Sequence, residues 1–204
     1  MARPRSYDRD AAVTAARDLF WERGYEATSI ADLERHTGLN RSSLYQEFGS
    51  KHSLFEEALT CYLDTVIARL FDGLRGSPAG LGEIAGLFRR LAELFRSGSP
   101  VAARGCLMVN TAAELGARDP AARSAAVAYR DRVRADFAAA LNRSAVRGQI
   151  PAATVTMRSH LLTATLMGIW LAVRIDPADA AALCDLAARQ VSAWREAPGV
   201  ATGS

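Results

Sequence analysis

The stretch "GYEATSIADLERHTGLNRSSLYQEFGSKHSLF", Gly24 to Phe55, decides the fold. Upstream of it, Val13, Ala16 and Phe20 recur at helical spacing, and Gly24 is placed to end that helix. Thr28 or Ser29 can cap a short second helix carrying Ile30 and Leu33. "TGLN" breaks the pattern. Asn40 can then cap a third short helix that turns Leu44 and Phe48 inward. "GS" breaks it again, and Ser50 can cap a fourth, striped by Phe55, Ala58, Leu59, Tyr62 and Val66. Two short helices joined by a tight Gly-containing turn, after a longer helix, form a helix-turn-helix pattern. Such a unit lays its second short helix in the DNA major groove.

On that third helix, Arg41, Ser42, Ser43, Tyr45 and Gln46 are left outside by the inward pair. Arginine can grip guanine bidentately, glutamine adenine, and serine either. Tyrosine hydroxyls reach phosphates. An ordinary solvated helix face would carry the same residue types. The stretch also holds the one lysine of the chain, Lys51, against twenty-four arginines. It falls where the fourth helix begins, a point whose free N–H groups already favour an anion.

The rest of the chain is also helical in spacing. After the loop "DGLRGSPAG", helices are expected at 81–96, 101–115, 119–145, 152–175 and 178–195. They are separated by "SGSP", "GARDP", "RGQIP" and "DP". The fold class is therefore all-α, with an N-terminal three-helix DNA-binding domain over 1–52 and a helical domain over 53–196. The tail 197–204 reads as disordered.

Half of the 204 residues are hydrophobic, enough for a substantial core, yet no apolar run has the length of a membrane span. A cytoplasmic location is expected, with no membrane partner and with Cys61, Cys106 and Cys184 as free thiols. No Cys/His spacing suggests a metal, and no cofactor is expected. A Gly-rich phosphate loop, HExxH and GxSxG are absent, so an enzyme is not expected. Net charge is +3, and residues 1–52 hold eight basic and eight acidic side chains. A nucleic-acid role has to come from placement, not bulk charge. Arg3 and Arg5 could reach a minor groove as an arm or remain loose.

Extended to Leu59, the opening stretch resembles the DNA-binding domain of the TetR/AcrR family of one-component bacterial repressors. Gly24-Tyr25, Thr28, Gly38, Leu44-Tyr45, Phe48, Lys51 and Leu54 fall in that family's order and spacing. The resemblance implies that Lys51 and Tyr45 contact phosphate and that Arg41, Ser42, Ser43 and Gln46 face base edges. Thr28 joins the DNA-binding set on the same ground. Two positions depart from a common pattern of the family: Ala31 stands where many members carry a basic residue, and Glu47 where many carry an aromatic or histidine. A carboxylate at Glu47 would repel phosphate if it pointed there, so no contact is carried over at either position.

The segment 152–175 is apolar nearly all round, with Met157, Leu161, Ala164, Gly168 and Leu171 on one face and Leu162, Leu166, Trp170 and Val173 on another. A water-soluble helix of this kind must bury both faces. One can serve the chain's own core and the other a second copy, joined by the helix at 178–195, in a four-helix dimer bundle as in the family. Leu162, Leu166, Leu183 and Val191 are candidates for that interface; a wholly intramolecular core is the alternative. The resemblance also implies a ligand pocket within the helical domain. Its candidate residues are Tyr62, Asn110, His160, Met167 and Trp170, with Phe88, Phe95, Met108 and Tyr129 around them. His160 reads equally as a core, surface or pocket histidine.

Cys106 shares a helical face with Ala102, Val109 and Ala113, which makes it a small buried hydrophobe. The segment "GCLMVN" also resembles one in family members that respond to electrophiles or oxidants through a cysteine, which would make Cys106 a sensor. The expected function is a homodimeric repressor, released from a palindromic double-stranded operator by a small-molecule or electrophile inducer. The alternatives are an activator, a regulator without a small-molecule ligand, or a helical protein-interaction scaffold without DNA affinity.

Overall fold

Each of the first four helices begins on a side chain that accepts from its free N–H groups. In the computed structural model, which describes residues 8–76 and 78–195, Asp8 accepts from Asp10 and Ala11 ahead of α1 (Arg9–Arg23). Arg3, Arg5 and the expected tail lie outside the described residues. Ser29, not Thr28, caps α2 (Ile30–Thr37). Its hydroxyl accepts from Asp32 N–H at 3.1 Å, and the Asp32 carboxylate accepts from Ser29 N–H at 3.0 Å, a reciprocal capping box. The Ser29 hydroxyl and N–H, then the nearby Arg35 and Arg23, hold the Asp32 carboxyl down at about 2. Asn40 caps α3 (Arg41–Phe48) and Ser50 caps α4 (Lys51–Tyr62).

The chain divides into two compact units, and the division does not follow the expected boundary after residue 52. The first unit runs through Arg69 and takes back Cys106–Arg123; the second is Leu70–Gly105 with the residues from Ser124 onward.

In the first unit, Phe20 of α1 packs edge-on against Phe55 of α4 at 5.0 Å, and Trp21 against Tyr62 at 4.9 Å. Leu33, Leu44 and Phe48 are buried on α2 and α3. Truncating Phe20 or Phe55 to Ala would cost about 3–5 kcal/mol, because both are fully enclosed. Past Tyr62 the helix makes one π-helical turn over Leu63–Ile67. The inserted residue advances the buried position by one, so Ile67 is buried and the expected Val66 is only half-buried. The returning segment carries α8 (Leu107–Leu115), which packs on α1 and α4.

In the second unit, the expected loop from Asp72 begins late: α5 (Ala68–Arg75) continues to Arg75 with Phe71 and Leu74 buried. Helix α6 (Leu81–Arg96) lies against α11 (Pro177–Ala193), whose buried face is Ala180, Ala181, Cys184, Ala187, Ala188 and Val191. These small side chains let the two axes approach closely. Phe137 of α9 (Pro120–Val146) stacks on Phe88 at 6.2 Å. The helix expected at 101–115 is two: α7 (Pro100–Ala103) and α8, parted at Arg104–Cys106. Gly105 makes the break at φ +68°, where a Cβ would lie 2.8 Å from the Trp170 carbonyl oxygen. A short 3-10 turn, Ala152–Thr154, precedes α10 (Val155–Ala172), which packs on α11. The described residues contain no strand.

Candidate nucleic-acid interface

Helix α3 turns Leu44 and Phe48 into the first unit and leaves Arg41, Ser42, Tyr45 and Gln46 exposed, with Ser43 half-buried. These five side chains share the outer surface because the two buried ones are four residues apart. Asn40 Oδ1 accepts from Ser43 N–H at 2.9 Å and Glu34 Oε1 from Arg41 N–H at 2.6 Å. The start of α3 is thus already supplied with acceptors, and its side chains are what remains to engage a partner. The Arg41 guanidinium lies 5.7 Å from the Tyr45 ring centroid, a cation–π distance.

Lys51 is the first residue of α4. Its Nζ sits 4.2 Å from the centroid of the Tyr25 ring. Partial burial pulls the Lys51 ammonium below its ordinary value, against the Glu26 and Glu114 carboxylates, which raise it. Burial also raises the Tyr25 phenol, with Asp119 and Glu26 adding to it. The ammonium is held on an aromatic platform beside a helix start, so a phosphate meeting it there also meets the free N–H end of α4.

The acidic position on α3 is neutralised. Glu47 Oε1 accepts from Arg9 Nε at 2.8 Å, and Arg9 Nη2 also donates to Glu57 at 2.7 Å. Ala31 is exposed. Thr28 is corrected: its side chain is fully buried, and its hydroxyl donates to the Gly24 carbonyl at 2.6 Å. It closes the turn between α1 and α2 and is not available to DNA. Sequence reasoning missed Arg9, Tyr25 and Glu34 as parts of this surface. Arg9 and Glu34 act through partners thirty-eight and seven positions away, which no local pattern displays.

The remaining candidates divide between the units. Tyr62, Cys106 and Asn110 lie in the first and are buried. Tyr62 and Cys106 are together: the Tyr62 hydroxyl faces the Cys106 thiol and the Leu107 N–H, and burial pushes the phenol well up. Cys106 stands at the start of α8, not inside a helix begun at Val101. In the second unit His160 is exposed, Met167 half-buried and Trp170 buried edge-on against Phe95 at 5.8 Å. Burial, with Asp185 adding, pushes the Cys184 thiol up to about 12.

Three of the four dimer candidates need correction. Leu162, Leu166 and Val191 are buried in the second unit's own core, and Leu183 is half-buried. The outward apolar stripe is the other one: Met157, Leu161, Ala164, Gly168 and Leu171. An open groove of about 550 Å³ runs between α10 and α11 beside it, walled by Leu161, Leu186 and Trp194. No helix among the described residues is long and apolar enough to cross a membrane.

Residues 12–58 match the model for "Bacterial regulatory proteins, tetR family", and residues 80–196 match that for "Tetracyclin repressor-like, C-terminal domain". The chain is 39% identical over 117 residues to the HTH-type transcriptional repressor ComR of Escherichia coli, covering 55% of this chain and 53% of ComR. It is 34% identical over 128 residues to the repressor BdcR of the same organism, covering 62% of each. The aligned stretches thus span between about half and three-fifths of these curated relatives. Among solved structures, a cysteine-substituted form of the TetR family transcriptional regulator CifR, complexed with 26bp double-strand operator DNA, superposes with a TM-score of 0.81 at 32% identity. That match covers 95% of this chain and 100% of the other.

Proposed function

The chain belongs to the tetR family of bacterial regulatory proteins, and on that premise we propose that it is a transcriptional repressor that binds a palindromic operator as a homodimer. The observation that carries this reading is the surface formed by Arg41, Ser42, Tyr45 and Gln46 on α3 with Lys51 at the head of α4. Arg41 and Gln46 read base edges, while Tyr45 and Lys51 hold the phosphates that fix the helix in the groove.

One such head covers too few base pairs for specific binding, so two are joined. The outward residues of α10 supply the seam. Met157, Leu161, Ala164, Gly168 and Leu171 alternate steps of four and three, the spacing that packs helices into a left-handed bundle. Gly168 lets a second copy come close. With α11 beside it, the seam makes the four-helix interface of the dimer.

Release is a population shift: the inducer prefers the state in which the two heads are wrongly spaced for the operator. The signal enters through the helical domain, as a small molecule or a reactive chemical. Cys106, buried against Tyr62, is the thiol through which a reactive one would act.

The test is a gel shift with the DNA flanking the chain's own gene, in competition with random duplex. Preferential retardation of a palindromic fragment is expected. Equal competition by random DNA would leave a helical protein without specific DNA affinity.

A further inference from the structure

The first unit is completed by a segment from far along the chain, and that segment grips the turn between α1 and α2. Helix α8 starts at Cys106, against Tyr62 of α4, and carries Glu114 at its far end. The Glu114 carboxylate accepts from two successive amides, Tyr25 N–H at 3.0 Å and Glu26 N–H at 2.7 Å, one to each oxygen. Both amides lie beyond the last turn of α1 and before the Ser29 cap of α2. Two amides on one carboxylate make a charge-assisted, bidentate contact. The turn is shaped for it. Gly24 has φ +86°, and a Cβ there would stand 2.8 Å from Glu114 Oε2.

The residue held by its backbone is the one whose ring carries Lys51. Tyr25 lies 4.9 Å from Phe55 and 6.0 Å from His52, ring to ring, with the Lys51 ammonium 4.2 Å from its centroid. A short physical path therefore joins α8 to the start of α4: carboxylate, amide, ring, ammonium. The same end of the returning segment adds Arg118, 3.8 Å from Glu26, and Asp119, 3.6 Å from His52. These outer pairs are exposed or half-exposed and contribute little by themselves. Glu114 makes the specific contact.

We propose that Glu114 is a positioning residue for DNA binding: through the Tyr25–Glu26 amides it sets the platform that aims Lys51 at phosphate, so the placement of α8 governs the strength of the phosphate contact. The proposal rests on the reading of Lys51 as a DNA contact given above. A staple that merely stabilises the unit would look the same in a static structure but would act independently of Lys51.

The experiment is a double-mutant cycle in the full chain, with Glu114→Ala, Glu114→Gln, Lys51→Ala and the two Lys51 doubles. The probe is a short duplex of random sequence at low salt, because a phosphate contact carries no sequence information. Glu114→Ala is expected to weaken duplex binding about tenfold, with Glu114→Gln, which keeps one acceptor oxygen, in between. On the Lys51→Ala background the same change should cost less than about twofold. Amide exchange is read in parallel: the Tyr25 and Glu26 N–H groups should both exchange at least about tenfold faster in Glu114→Ala, and one of the two should do so in Glu114→Gln. Additive losses would overturn the proposal and leave a staple. Unchanged exchange at Tyr25 and Glu26 would overturn it by removing the contact itself. A wild-type chain that binds no duplex would overturn the DNA reading on which the proposal stands, while the exchange arm would still decide whether the grip exists. Should Glu114→Ala fail to fold, the Gln variant carries both arms alone.

Discussion

Arg9 Nε donates to Glu47 Oε1 at 2.8 Å, pinning the one acidic side chain of α3 to the first residue of α1. On the proposed DNA-binding reading, the pair keeps this carboxylate from facing phosphate. Arg9→Ala frees that carboxylate and should weaken duplex binding about fivefold, the order of a partly exposed charge pair. Removing the carboxylate as well, in Arg9→Ala/Glu47→Ala, should recover most of the loss. Anisotropy titrations of the two variants check this, and equal losses in both would refute it.

Lys51→Ala should weaken binding to operator and to random duplex alike, lowering the magnitude of the salt slope by about one for each head. Arg41→Ala and Gln46→Ala should instead relax sequence preference, by roughly 1–3 kcal/mol at the bases they read. Titrations across a salt series separate the two classes. An unchanged slope in Lys51→Ala would remove that residue from the phosphate contacts.

Leu161 is 52% exposed on the outward stripe of α10, and Leu166, five residues on and on another face, is fully buried. Leu161→Glu should therefore yield folded monomers with little operator affinity. Leu166→Ala should leave the dimer formed but cost about 2–5 kcal/mol of stability through the cavity it opens. Sedimentation and thermal melts distinguish them. A wild-type chain that sediments as a monomer at micromolar concentration would refute the interface.

The Asp32 carboxyl is held at about 2 against an ordinary value of 3.8, chiefly by the Ser29 hydroxyl and N–H. Its folded value is depressed, so it contributes stability above the ordinary value and loses it as pH falls through about 2. Asp32→Asn should be less stable than wild type at neutral pH, and the gap should close between about pH 4 and pH 2. Denaturant melts across that range test it; a gap independent of pH would mean that the ionised carboxylate is not the source.

Among the three thiols, Cys61 is half-buried, while Cys106 and Cys184 are buried. N-ethylmaleimide should label Cys61 first, with Cys184 last because burial holds it as the thiol. Mass spectrometry of a labelling time course reads the order. If hypochlorite releases the operator from wild type but not from Cys106→Ser, Cys106 is the sensor; release that persists assigns the effect elsewhere.

The caps and the inward pair Leu44 and Phe48 were legible because both are local: a cap acts within three residues, and a helix face repeats every three or four. Val66 was misplaced because a π-helical turn inserts a residue that a 3.6-residue period does not contain. Thr28 and Ser29 are neighbours of similar chemistry, and only the closing bond to Gly24 decides which faces inward. Both stripes of α10 could be read, but which one the chain buries depends on where the other helices pack. The grip of Glu114 on Tyr25 spans eighty-nine positions and leaves no periodic trace.

Because Lys51 is the chain's one lysine, its perch on Tyr25 also makes it the one side-chain amine. A protease that cleaves after lysine has a single scissile bond, between Lys51 and His52, which parts α1–α3 from everything that follows. An amine-reactive reagent likewise has one side-chain target, so acylation at this position reads out occupancy of the proposed DNA-binding surface without any engineered label.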